Sequence, residues 1–261
     1  MATHEELRAV RIQKLENLKE AGMNPFTAQT FRTHTIAEAL INFDKLANDG
    51  LPVTIAGRIM AKRGQGALVF MNLKDGTGDM QALLKKDNID EAKFNLFTDN
   101  IDIADFVEVT GTLFVTNTGQ NTILINDWRV LTKAIEQLPD TYHGMTDADE
   151  RYRKRYLDLL LNDEAREMFA LKSKFWAYTR DFLTKRDFIE VETPTLEVTT
   201  GGAEARPFKT YHNDYDMDVF LRISVGELWQ KRLMAAGFAR TFEIGRVYRN
   251  EGSSPEHLQE F

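Results

Sequence analysis

The sequence predicts an α+β protein, a five-stranded β-barrel followed by a second region of antiparallel strands with flanking helices. Three observations predict it. Apolar residues alternate with period two in five short runs between residues 51 and 132, separated by turn residues. One short helical pattern lies between the third and fourth of those runs. From residue 164 the period changes to that of a long helix and then returns to short strands.

The chain has 261 residues, of which 43% are hydrophobic and 28% charged, a folded composition with room for two domains. It has no cysteine, which excludes thiol catalysis, disulfides and cysteine-rich zinc sites. The five histidines are scattered, without the spacing of a metal site. The net charge of -7 means that nucleic acid, if bound, is held by a local basic groove and not by the whole surface. No apolar run is long enough to cross a bilayer. The N-terminal stretch has no apolar signal core, which argues against export and for a cytoplasmic protein.

Residues 1–50 read as a helical extension. Over 5–21, Leu7, Leu15 and Leu18 fall on one side with Val10 and Ile12 flanking, Thr3 caps the start, and Gly22 and Pro25 end the helix. That helix either docks on a neighbour or offers Arg8, Lys14 and Lys19 to a phosphate backbone.

Residues 51–132 form the barrel. Val53, Ile55, Gly57 and Ile59 alternate with Thr54, Ala56, Arg58 and Met60 in the first strand. The others cover 68–73, 80–84, 106–115 and 122–131, with turns at 75–78 and 117–120 and a helix at 90–97. Five strands with a helix between the third and fourth is the order of an OB-fold barrel, which binds oligonucleotides or oligosaccharides across strands two and three. Lys62 and Arg63 close the first strand beside Phe70 and Gln81, so a basic rim surrounds an aromatic ring and an amide. That set suits single-stranded nucleic acid, the ring stacking a base and the amide reading its edge. Phe70 is alternatively core, since Leu68 and Phe70 share a face and parity does not separate the two readings.

Residues 133–163 read as a linker and hinge, with Pro139, Asp140 and Gly144 in the connector and a helix dense in Arg, Lys and Tyr over 147–161. The last domain covers 164–261. Its helix at 164–185 carries Met168, Leu171, Phe175, Tyr178 and Phe182 on one face, suited to a core or a subunit interface. A strand over 188–192 stops at Pro194. The alternation over 238–251 predicts one long strand with Arg249 and Glu251 on one face, then a loop through Pro255 and His257 before Phe261 opens the returning strand. An arginine, a carboxylate, a histidine and a ring at one hairpin suit a nucleotide, with the guanidinium on a phosphate and the ring on a base. The plainer alternative is a structural Arg–Glu pair with a surface histidine.

The run FEIGRVYRNE at 242–251, with its loop and Phe261, resembles motif 2 of class II aminoacyl-tRNA synthetases. FIEVETP at 188–194, after the long helix, resembles motif 1. GGAEARPF at 201–208 is similar to the segment after motif 1 in the lysine-specific members, and RYRKRYLDL at 151–159 to their hinge helix. With the barrel, nearly the whole chain resembles the N-terminal portion of bacterial-type lysyl-tRNA synthetases.

The resemblance implies ATP-dependent activation of lysine to lysyl-adenylate and its transfer to tRNA-Lys in translation. It implies that Arg249 holds the ATP α-phosphate and the substrate carboxylate, Glu251 the adenine amino group and His257 the outer phosphates, while Phe261 stacks on adenine. Gly202, through its carbonyl, and Glu227 would hold the α-amino group of lysine. Phe70, Gln81 and Asp127 would read the uridine-rich anticodon, and motif 1, ending at Pro194, would build a homodimer. ATP enters as a substrate. Magnesium is implied for the complete enzyme, with its ligands and the third class motif beyond Phe261, so residues 1–261 are expected to be inactive by themselves.

Three departures accompany the match. ISVGE at 223–227 has one residue more than the usual segment, Asp127 stands where glutamate is usual, and Glu256 where a base is common. A sister synthetase for aspartate or asparagine shares the barrel and motifs, but GGAEARPF argues against it. A non-catalytic tRNA-binding module is the reading from another class. The related ligase that lysylates elongation factor P lacks the barrel.

Overall fold

The computed structural model describes residues 3–139, 145–254 and 256–261, so Asp140 and Gly144 of the connector and Pro255 of the C-terminal loop lie outside the described residues. The chain forms two compact units, Met1–Asn162 and Asp163–Phe261.

Helix α1 (His4–Glu20) opens on a capping box. The Glu6 amide donates to the Thr3 hydroxyl at 3.2 Å, and the Thr3 amide donates to the Glu6 carboxylate at 2.7 Å. Leu15 and Leu18 are buried, whereas Val10 is exposed and does not extend the apolar stripe. Arg8 pairs with Glu136 at 2.8 Å, Lys14 with Asp102 at 2.6 Å and Lys19 with Glu16 at 2.9 Å. These cations are therefore engaged within the protein, which favours the docking helix over a phosphate-binding one. Arg11, buried on the same helix, donates to the carbonyls of Ile103, Ala134 and Glu136. Two short helices follow, α2 (Ile36–Ile41) and α3 (Phe43–Asp49).

Strands β1 (Val53–Gln65), β2 (Leu68–Lys74), β3 (Asp79–Lys85), β4 (Phe106–Val115) and β5 (Asn121–Thr132) close into a barrel in the order β1-β2-β3-β5-β4. The β3/β5 pair is parallel and the other pairs antiparallel. Helix α4 (Glu91–Asn100) lies between β3 and β4, capped by Asp90, and runs one residue-triplet past the expected end at 97. The alternating residues Ile55, Val69, Met71, Leu73, Val107, Val109, Ile123 and Ile125 fill the barrel, and Phe97 of α4 meets Trp128 edge to face at 4.9 Å. Closure leaves no sheet edge unpaired, which is why the strands need no outside partner. Gly111 sits where β4 shifts register on β5, and a Cβ there would overlap the Leu124 carbonyl. Below the barrel the fully buried Lys133 ammonium lies 2.6 Å from Asp102 and 2.8 Å from Asp105.

The expected single helix over 147–161 is two, α5 (Ala148–Arg153) and α6 (Arg155–Leu161). Lys154 leaves helical geometry between them at ψ 48°, and Asp158 is buried between Arg151 and Arg155.

In the second unit, α7 (Asp163–Thr184) buries none of its residues. Strands β7 (Leu196–Glu197), β9 (Met217–Leu221) and β8 (Lys209–His212) make an antiparallel sheet in that order. Strand β6 (Ile189–Glu190), shorter than the expected 188–192, pairs in parallel with β10 (Thr241–Phe242). Helix α8 (Glu227–Ala235) starts after Gly226 in the left-handed region. The long strand expected over 238–251 is not continuous. Its regular part ends at Phe242, where its two-residue partner strand β6 also ends, and farther along the buried Arg222 guanidinium donates to the Arg246 carbonyl at 2.7 Å, an acceptor that a ladder would use. Pairing resumes as a hairpin, with mutual hydrogen bonds between Val247 and Phe261 and a bridge between Tyr248 and Glu260.

Candidate active site and nucleic-acid interface

The barrel carries a cleft of about 220 Å³ on its outer face, lined by Arg63, Phe70, Asn72, Gln81 and Gln120. In β2 the buried residues are Val69, Met71 and Leu73, so Phe70 points away from the core. That resolves the choice left open by parity. Phe70 stands opposite Arg63 on β1 and Leu83 on β3, half-buried, with a ring face available for stacking. Gln81 accepts a hydrogen bond from the Thr122 hydroxyl at 2.8 Å, which holds its carbonyl and leaves its amide N–H groups to donate.

Two expected members are not in this cleft. Lys62 turns the other way, donating to the carbonyls of Thr98 at 3.0 Å and Ile101 at 2.5 Å under the Phe97 ring. The cause is a register shift in β1 between Ile59 and Ala61, which reverses the alternation and sends Arg63 outward in its place. Burial pulls the Lys62 ammonium below the ordinary lysine range. Asp127 pairs with Lys93 of α4 and accepts from the Trp128 amide at 2.8 Å. It lies five residues along β5 from Thr122, the partner of Gln81, about 16 Å at strand spacing, and it does not line the cleft. Gln120, which was not among the expected anticodon residues, lines the cleft. Its signal in the sequence was its position at the end of the 117–120 turn, beside the strand that pairs with Gln81.

In the second unit Arg249 and Phe261 come together, the guanidinium carbon 5.2 Å from the ring centroid. The hairpin pairing of 247–249 with 259–261 places them side by side. Both line a cavity of about 760 Å³, shared with Ile223, Ser224 and Val225 and with Lys172 and Trp176 of α7, a volume that admits a nucleotide. Arg249 Nε donates to the Ile223 carbonyl at 3.4 Å, a long bond that leaves the planar fork free. Glu251 and His257 do not line this cavity. Glu251 accepts from the Arg206 amide at 3.3 Å, and His257 closes the loop tip against the Ser254 hydroxyl at 2.8 Å.

Gly202 and Glu227 are also brought together. Gly202 has φ +89°, and a Cβ on it would overlap the Ser224 hydroxyl and the Glu227 carboxylate. Only glycine fits that approach, and it leaves the Gly202 backbone against the acid. Ser224 ties the pair to the cavity wall by donating to the Gly201 carbonyl at 2.8 Å. Pro194 is exposed just beyond β6. Among the described residues no group of three histidine, aspartate or glutamate side chains converges as a metal site would.

The first unit is thus an OB-type barrel, and the second bears this hairpin, a Gly-Gly approach and an acid at a helix start. Residues 147–261 match the family model described as tRNA synthetases class II (D, K and N), and residues 53–131 match that of the OB-fold nucleic acid binding domain. Over residues 147–261 the chain is thus similar to class II tRNA synthetases. It is similar to the lysine–tRNA ligase of Roseiflexus sp. (strain RS-1), at 45% identity over 98% of this chain and 52% of the relative. The lysine–tRNA ligases of Clostridium novyi (strain NT) and Halalkalibacterium halodurans are each 44% identical, over 96% and 98% of this chain and 49% and 52% of theirs. The chain spans about half the length of the curated relatives it matches.

Proposed function

We propose that this chain is the anticodon-reading and ATP-binding portion of a lysine–tRNA ligase of the cytoplasm. The observation that carries the reading is the joint placement of Arg249 with Phe261, and of Gly202 with Glu227, on the two ends of the 223–227 segment. Adenylation needs an arginine fork on the α-phosphate, a ring under adenine and an anion for the amino acid's α-ammonium group, and these four residues offer them.

In the proposed reaction the lysine carboxylate attacks the α-phosphorus of ATP, forming the acyl-phosphate bond as the bond to pyrophosphate breaks. The terminal ribose hydroxyl of tRNA then takes the lysyl group and AMP leaves. Neither step needs a protein nucleophile. Arg249 spans the carboxylate and the α-phosphate as negative charge develops there, and Glu227 with the Gly202 carbonyl orients the amino acid for in-line attack. Glu251 and His257, on the same hairpin, are assigned the adenine amino group and the outer phosphates. Phe70, Gln81 and Gln120 receive the anticodon. Among the described residues no helix is long and apolar enough to cross a membrane. The apolar face of α7 supports a homodimer built around motif 1 and Pro194, since Met168, Phe175 and Tyr178 are all more than half exposed in this chain.

An aspartate- or asparagine-specific sister is the second reading, because the matched family includes both. The experiment is amino-acid-dependent pyrophosphate exchange on the full-length protein. Exchange with lysine alone is expected, and Arg249→Ala should lower it by a factor on the order of 10²–10³, the loss of one transition-state donor. Arg249→Lys should recover little, because a point charge does not replace a planar fork. Exchange driven by aspartate or asparagine, or unaltered exchange in Arg249→Ala, would overturn the assignment.

A further inference from the structure

We propose that Arg222, Glu243 and Thr193 form a buried clamp that sets the position of Glu227, and with it the affinity for the amino acid. The inference rests on the assignment of Glu227 to the substrate's α-amino group. The Arg222 and Glu243 side chains are each 5% exposed and lie 2.5 Å apart. The Thr193 hydroxyl donates to the other Glu243 oxygen at 2.7 Å, and the Thr193 amide donates to Glu243 at 3.3 Å. Arg222 also donates to the Thr193 carbonyl at 3.2 Å and to the Arg246 carbonyl at 2.7 Å. Three segments distant in sequence are thus fixed on one ion pair: the end of motif 1, the strand exit that leads into 223–227, and the start of the motif 2 hairpin.

The clamp touches Glu227 through its neighbour. Gly226 has φ +56°, and a Cβ on it would lie 2.7 Å from both Glu243 Oε2 and Thr193 Oγ1. The backbone that launches α8 therefore rests on the clamp oxygens, and Glu227 is the first residue of that helix. Gly245 completes the fit, since a Cβ there would overlap the Arg222 guanidinium. A buried ion pair is a poor source of stability compared with packed apolar residues. Here its geometry does something that apolar packing does not, holding a backbone at fixed distance from a carboxylate that must meet a substrate. Arg222, Glu243 and Thr193 are positioning residues, because none of them touches the proposed ligand.

The test is steady-state pyrophosphate exchange on the full-length protein, with Thr193→Val, Thr193→Ser and Glu243→Gln. Thr193→Val keeps the shape and removes the hydroxyl. Its KM for lysine should rise about tenfold while KM for ATP stays within about twofold, since Thr193 faces Gly226 whereas Arg222 still holds the Arg246 carbonyl of the hairpin. Glu243→Gln should shift KM for lysine in the same direction, and Thr193→Ser, which keeps the hydroxyl, should restore it. If both KM values rise together, or neither moves in folded Thr193→Val and Glu243→Gln proteins, the clamp is only structural and the inference fails. Absence of lysine-dependent exchange in the unmodified protein would instead defeat the ligase assignment itself.

Discussion

Phe97 in the barrel and Phe175 on α7 are the same residue type on helices of the same chain, yet Phe97 is fully buried and Phe175 is 60% exposed. The contrast extends to the units that hold them. The barrel closes on itself, so each inward residue of its strands finds a partner within 80 residues of sequence. The second unit has a parallel pair and a three-stranded sheet, and among its described apolar residues only Val219, Ile223 and Val247 are buried. Closure satisfies every strand edge internally, whereas a long amphipathic helix is buried only by what is laid against it. The barrel is therefore built to hold its shape alone, and the second unit to gain order from apposed surface.

The largest effect should come from truncating the two phenylalanines in turn. Phe97→Ala is expected to destabilise the barrel by about 3–5 kcal/mol, through lost transfer energy and the cavity left beside Trp128. Phe175→Ala is expected to stay within about 0.5 kcal/mol in the chain as given, as for other exposed positions. Urea unfolding followed by Trp128 fluorescence for the barrel and by far-ultraviolet dichroism for the helix measures both. Comparable losses at the two sites would break the contrast.

A smaller effect should appear in acid. Burial alone would push the Glu108 carboxyl up, but the Arg129 guanidinium, the Thr30 hydroxyl and the Phe31 amide outweigh it and hold Glu108 below the ordinary carboxylate range. A depressed folded-state value contributes stability that is present above the unfolded value, about 4.3, and is lost as pH falls through the folded one. Barrel stability should thus decline below about pH 4. Glu108→Gln should be less stable at neutral pH and show a shallower acid slope. An unchanged slope would mean that the Arg129 pair does not shape the titration.

What was legible in the sequence follows from the same contrast. Strands that are half-buried print their geometry as alternation, so all five barrel strands could be read from residue spacing, although the side on which Phe70 lies could not. The motif 1 and motif 2 segments were legible as strings. The errors fall where alternation is interrupted. The register shift after Ile59 turned Lys62 inward, and that at Gly111 accompanies the turn of Asp127 toward Lys93. A one-residue shift leaves no mark on composition but reverses every later side chain. Arg222 and Glu243 stand 21 residues apart on different elements, and only the folded backbone joins them. The strand expected over 238–251 was interrupted by contacts of that kind, since the Arg246 carbonyl is bound by Arg222 and not by a neighbouring strand.

In the proposed division of labour, RNA is held by the barrel's outer cleft and the nucleotide by the second unit. The most direct test is the affinity of residues 1–261 for a tRNA-Lys anticodon stem-loop, with and without Phe70→Ala. Loss of one stacked base should weaken binding by about 1–3 kcal/mol while the barrel's unfolding midpoint stays the same, because Phe70 lies outside the core. Unchanged affinity in a folded Phe70→Ala protein would contradict the account and move the RNA site off the cleft.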